Sequence, residues 1–131
     1  MRRLLSIATE TITALIVSSA VMASPYHDRT LKSLELKRAE PYSRARSMLA
    51  RHGWTPFRTK QDHGTAGDVM GAGWHEVFFC SGTGRAFCTF IWKQGARCAL
   101  ITTAGEYYPE DGAPKVWDAE VDTCPKILKR A

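Results

Sequence analysis

The chain predicts an α+β fold: one amphipathic helix packed on a four- to five-stranded antiparallel sheet, stapled by disulfides. Three observations carry this. Helical apolar spacing is clear from Tyr42 to His52. Four later segments are rich in Val, Ile, Phe, Thr and Trp and are separated by glycine-containing turns. Four cysteines, Cys80, Cys88, Cys98 and Cys124, all follow Phe79. An even cysteine count in a small exported domain is a disulfide framework, whereas a cytosolic chain would suggest metal or redox chemistry.

Export is read from the first residues. Arg2 and Arg3 form a basic start, an apolar stretch follows, and Val21-Met22-Ala23 offers a cleavage point before Ser24. The pattern predicts a signal peptide over 1–23. Glu10 interrupts the apolar run and fits the alternative of an amphipathic helix. The uninterrupted part, Ile12 to Ala23, is about half the ~20 residues that span a bilayer. A periplasmic or secreted protein with no stable membrane span is expected. Removing 1–23 leaves 108 of the 131 residues, one domain's worth. The formal net charge is +5. From Ser24 to Lys60 there are nine Lys/Arg against three Asp/Glu, and from Gln61 onward seven against nine. A basic front of this kind suits anionic surfaces of the envelope, or is an ordinary solvated helix face.

Within the mature chain, 24–40 reads as an N-terminal arm with scattered Leu31, Leu34 and Leu36, extended or weakly helical. The single α+β domain is expected over 41–131. Pro41 suits a first helical turn, where its missing N–H has no partner to lose. Tyr42, Ala45, Met48, Leu49 and His52 recur on one face, and Gly53 ends the helix. Arg44, Arg46 and Arg51 give this helix a basic face. Trp54 and Phe57 around Pro56 read as a short strand or turn. Lys60 to Gly73, with four glycines and no periodicity, reads as a polar loop. His63, Asp68 and His75 lack any compact metal-ligand spacing, so no metal site is predicted.

The sheet is expected from Glu76 to Ser81, Ala86 to Lys93, Arg97 to Ala104 and Lys115 to Thr123. A first hairpin centred on Gly84 sets Cys80 opposite Cys88, within bridging reach. A third centred near Glu110 and Asp111 brings Cys98 close to Cys124, although the simplest register faces Cys98 with Thr123 and requires a bulge. The pairings Cys80–Cys88 and Cys98–Cys124 are therefore predicted. Alternation places Trp117, Ala119 and Val121 on one face of the last strand and Asp118, Glu120 and Asp122 on the other. Ala86 to Lys93 is apolar on both faces, with Phe87 and Ile91 opposed to Phe90 and Trp92. One helix covers one face, so either the N-terminal arm or a partner covers the second.

No catalytic constellation emerges. Cys80-Ser81-Gly82-Thr83-Gly84 joins two strands instead of opening a helix and lacks the lysine–hydroxyl pair of a phosphate loop. Ser81 is not in a nucleophile elbow. Glu76, Glu106 and Glu110 have no defined separation for paired-carboxylate chemistry.

Pro41-Tyr42, Ala45-Arg46, Leu49 and Gly53-Trp54-x-Pro56, followed by Glu76, Cys80 to Gly84, Cys88-x-Phe90 and Thr103-Ala104-Gly105-Glu106, resemble small, largely uncharacterised exported proteins of proteobacteria. The resemblance implies Cys80–Cys88 as the shared bridge; Cys98 and Cys124 lie outside it. The layout also resembles β-lactamase-inhibitor and outer-membrane-assembly modules, a likeness of fold alone. The expectation is a non-enzymatic, cofactor-free protein-binding module, an inhibitor or immunity-type partner of a periplasmic enzyme. Its expected contacts are Tyr107, Tyr108, Phe90 and Trp92. The alternatives are an envelope-assembly factor meeting anionic lipid or glycan through the basic helix, and a small hydrolase. A protein partner in the cell envelope is expected, and no nucleic acid.

Overall fold

The computed structural model describes residues 25–61, 64–82, 86–105 and 114–130. The order is α1 (Pro25–Ser33), α2 (Tyr42–Arg51), β1 (Thr55–Pro56), α3 (Gly64–Gly71), β2 (Val77–Cys80), β3 (Cys88–Gln94), β4 (Arg97–Ala104), β5 (Lys115–Thr123) and α4 (Cys124–Arg130). The α+β class read from the sequence is the class observed. The antiparallel sheet runs β1-β3-β4-β5, and β2 shares with β1 the same side of β3.

α1, α2 and α3 end by one device. In each, the N–H two residues past the cap reaches back to the carbonyl five residues earlier: Leu36 to Leu31, Trp54 to Leu49, Trp74 to Val69. The residue between takes a left-handed conformation, at Glu35, Gly53 and Gly73. Both apolar ends of each closure are buried in the main core. Glycine supplies the positive φ without strain in two cases; Glu35, at φ 56°, does so against its Cβ.

Register explains both faces. Phe90 pairs with Ile101, Trp92 with Ala99, and Ile101 with Ala119. With Cys88 and Val116 they form one apolar face, buried beneath Leu31, Leu34, Leu36, Tyr42, Ala45, Leu49 and Val69. The opposite face carries Ile91, Leu100 and Cys98, covered by Ile127 of α4 and flanked by Phe57 and Phe78.

Four expectations change. The segment read as an extended or weakly helical arm is helical over α1, and its leucines join the main core on the face α2 already covers instead of the second face. The second face is closed by α4, which the sequence reading did not foresee. The polar loop from Lys60 contains α3, which buries Val69. Finally, a bulge in β5 sets Thr102 opposite Asp118 but Thr103 opposite Val116. Val116 thus takes the core position that alternation assigned to Trp117, and the indole is left 38% exposed.

Both predicted disulfides are present. Cys80 and Cys88 are directly opposed, with Cα atoms 4.0 Å apart. The bulge moves Asp122 opposite Cys98, and the chain turns into α4 at the second residue beyond it. That turn brings the Cys124 Cα within 4.6 Å of Cys98. Cross-links of this kind persist in oxidising surroundings outside the cytoplasm. Among the described residues, no helix is long and apolar enough to cross a membrane.

Candidate functional site

The most elaborate polar cluster lies inside the fold. Tyr42 and Arg46 stand one turn apart on α2 and both reach Glu76, just before β2. The Tyr42 hydroxyl donates to Glu76 Oε1 at 3.0 Å. Arg46 grips both carboxylate oxygens, Nε to Oε1 at 2.6 Å and Nη2 to Oε2 at 3.2 Å. Trp92 Nε1 donates to the Tyr42 oxygen at 2.9 Å. Aromatic rings enclose the cluster: Tyr42 stacks on Phe90 with centroids 4.0 Å apart, and the Arg46 guanidinium lies 5.5 Å from the Trp74 centroid. Burial first, then the Glu76 carboxylate, holds the Tyr42 phenol well above its ordinary range.

This arrangement binds α2 to the sheet. Glu76 and Tyr42 are fully buried, so neither is open to a substrate in the folded state. Tyr42, Leu49, Trp54 and Glu76, with the half-buried Arg46, thus assemble the interior.

The sequence-predicted contact residues fare differently. Phe90 and Trp92 are buried in the main core, which corrects their assignment as partner contacts: α1, α2 and α3 together cover the face they occupy. Tyr107 and Tyr108 lie outside the described residues. The basic face is largely neutralised, since Arg46 is held by Glu76 and Arg44 pairs with Glu40 at 3.4 Å. Arg51 turns to the Met48 sulfur at 3.0 Å. Of the metal candidates, His63 lies outside the described residues. No group of three or more His, Cys, Asp or Glu among those described is placed to share an ion.

An accessible site forms where the β5 bulge expels Trp117. Arg38, Ala104, Gly105, Lys115, Val116 and Trp117 line an apolar-floored groove of about 480 Å³. Through Arg38 it adjoins a second depression, lined by Leu31, Lys32, Leu36 and Lys37 at the end of α1. The Arg38 guanidinium sits 5.4 Å from the Trp117 centroid and donates to Asp28 at 3.0 Å. Phe87 meets the indole edge-on at 5.9 Å. Lys32, Lys37, Arg38 and Lys115 outnumber Asp28 and Glu35 along the two depressions.

Strand alternation alone hides this site, because a bulge leaves no reliable mark in a single sequence. The chain is a disulfide-bearing α+β domain with an aromatic, cation-rimmed groove at one sheet edge. Comparison with known protein families, curated proteins and solved structures finds no match.

Proposed function

We propose that this chain is an exported protein-binding module whose contact surface is the groove around Trp117. Its occupant is an extended, acidic segment of a periplasmic protein, such as an enzyme that the module inhibits or for which it serves as immunity partner. The observation that carries the reading is the bulge in β5. Fully burying a large apolar side chain stabilises a fold by about 1.5–3 kcal/mol. The bulge forgoes part of that for Trp117, which stays 38% exposed, and sets the indole beside a guanidinium and a second ring. Exposed Trp and Arg in a pocket are the residue types that dominate binding energy at interfaces. The excess of cations on the rim favours a partner segment bearing carboxylates.

The test is affinity capture from periplasmic extract with the mature, oxidised protein and, in parallel, Trp117→Ala of unchanged melting temperature. A stoichiometric protein partner should be retained by the first and weakened at least about tenfold, 1.4 kcal/mol, by the second. Equal retention by both removes the groove from the reading. Retention of lipid or glycan with no protein favours the envelope-assembly alternative.

A further inference from the structure

Burial alternates along the segment that follows β1. Phe57, Thr59 and Gln61 are half-buried, while Arg58 and Lys60 between them are exposed. The inward members are fastened. Phe57 N–H donates to the Ile91 carbonyl at 2.9 Å, and Thr59 N–H to the His75 carbonyl at 2.9 Å. The Gln61 side chain donates to the Phe78 carbonyl at 2.8 Å, and its backbone N–H meets the Met70 sulfur at 3.4 Å. By the two-residue period of an extended chain, these anchors hold Arg58 and Lys60 on one side, roughly 6.5 Å apart along the backbone.

With the exposed His75 they line an open depression of about 680 Å³, whose other walls are Thr59, Gln61 and Met70. No described carboxylate lines it, and neither Arg58 nor Lys60 makes an ion pair with a described residue. The other cationic depressions differ. Asp28 and Glu35 share the one at the end of α1, and Glu35 the one beside His52 and Arg97. At the Trp117 groove, Arg38 is paired with Asp28. We infer that the depression at Arg58, Lys60 and His75 is an anion site, separate from the Trp117 groove, that takes a phosphate monoester, free or on a lipid headgroup. Two like charges fixed side by side without a counter-charge repel, and a bound dianion relieves that. The guanidinium presents paired N–H donors to two phosphate oxygens, the ammonium adds a point charge and the imidazole a further donor. Thr59 Oγ1 donates to the Val77 carbonyl and the Gln61 amide to Phe78, so the neutral donors are taken and charge is left to recognise the ligand.

Titration of the oxidised protein with inorganic phosphate tests the site, read from amide NMR shifts at residues 58–61 and 75. It should run to about 10 mM, above the ~1 mM dissociation constant expected of a few exposed charge contacts. Arg58→Ala with Lys60→Ala, at unchanged melting temperature, should weaken binding at least about tenfold. Arg29→Ala with Lys129→Ala removes two exposed charges elsewhere and should leave binding unchanged, which separates a local site from the net positive charge of the chain. Co-sedimentation with phosphatidylcholine vesicles, with and without phosphatidate, separates the two sources. Retention that needs phosphatidate and is lost with Arg58 and Lys60 assigns the lipid headgroup; phosphate binding without retention assigns the free ester. Should the local double variant misfold, Lys60→Gln alone should show part of the loss. The inference is overturned if neither phosphate nor phosphatidate vesicles bind, if the natively folded local variants bind as before, or if the remote pair of substitutions weakens binding as much as the local pair.

Discussion

Beneath α1, α2 and α3 the sheet meets a continuous apolar layer, with a buried ion pair and four aromatic rings at its centre. Beneath α4 lies a smaller cluster with two fully buried aliphatic side chains, Ile91 and Ile127, and the half-buried Phe57, Phe78 and Leu100. An isolated helix as short as α4 does not hold together in water. What it lacks in buried area is made up by the Cys98–Cys124 bridge and by Lys126 and Arg130 pairing with the acids of β5. Non-covalent packing thus closes one face, while a covalent clip with surface charge closes the other. The acidic ladder that reads in the sequence as an outward surface is the docking strip for α4.

Breaking the ion pair on the first face should give the largest effect, and an asymmetric one. Removing one partner of a buried pair costs about 3–5 kcal/mol because the other charge is left desolvated. Glu76 is fully enclosed, whereas the Arg46 side chain is 31% exposed and can turn toward water. Arg46→Ala should therefore destabilise by about 4 kcal/mol and Glu76→Ala by about 1 kcal/mol less. Urea unfolding followed by near-ultraviolet circular dichroism measures both. Equal losses would mean that Arg46 is as confined as Glu76.

The bridges come next. Closing 26 residues limits the unfolded chain more than closing eight. On chain entropy, replacing Cys98 and Cys124 by Ser should cost about 3.5 kcal/mol, against about 2.5 for Cys80 and Cys88. The two losses should also differ in place. Amide exchange should accelerate throughout 124–130 in the first variant, and only around the β2–β3 hairpin in the second. Protection of α4 that survives loss of its bridge would mean that packing, not the clip, holds the second face.

Legibility follows the same division. α2, β4 and β5 were readable because their apolar periods are long and their ends carry proline or glycine. The cysteine pairs were readable because strand register sets them within reach. α3 was missed because its glycines mask the period. Yet Val69 and Gly73-Trp74 repeat at the same spacing the Leu49 and Gly53-Trp54 that end α2. α4 was missed because seven residues give no periodic pattern, and its anchors belong to β5 and to a disulfide. Trp117 was misplaced because one inserted residue reverses the face of everything before it. Arg46 read as surface charge because its partner lies 30 residues away.

The smallest expected effect belongs to the Tyr42 hydroxyl, and it sharpens the contrast through pH. Burial, then Glu76, raises its pKa well above the ordinary value of 10.0, so the folded state holds the phenol neutral while the unfolded chain ionises it more readily. The stability so contributed is whole below pH about 10 and is lost as the pH rises from there toward the folded value. Tyr42→Phe keeps the ring against Phe90 but removes the bonds to Glu76 and Trp92, a cost of about 1–2 kcal/mol at neutral pH. It should also flatten the alkaline decline. Urea midpoints for the two proteins, from neutral pH to about 11, isolate this residue because every other side chain is common to both. If the variant keeps the full decline, alkaline loss does not begin at the face where α2 meets the sheet.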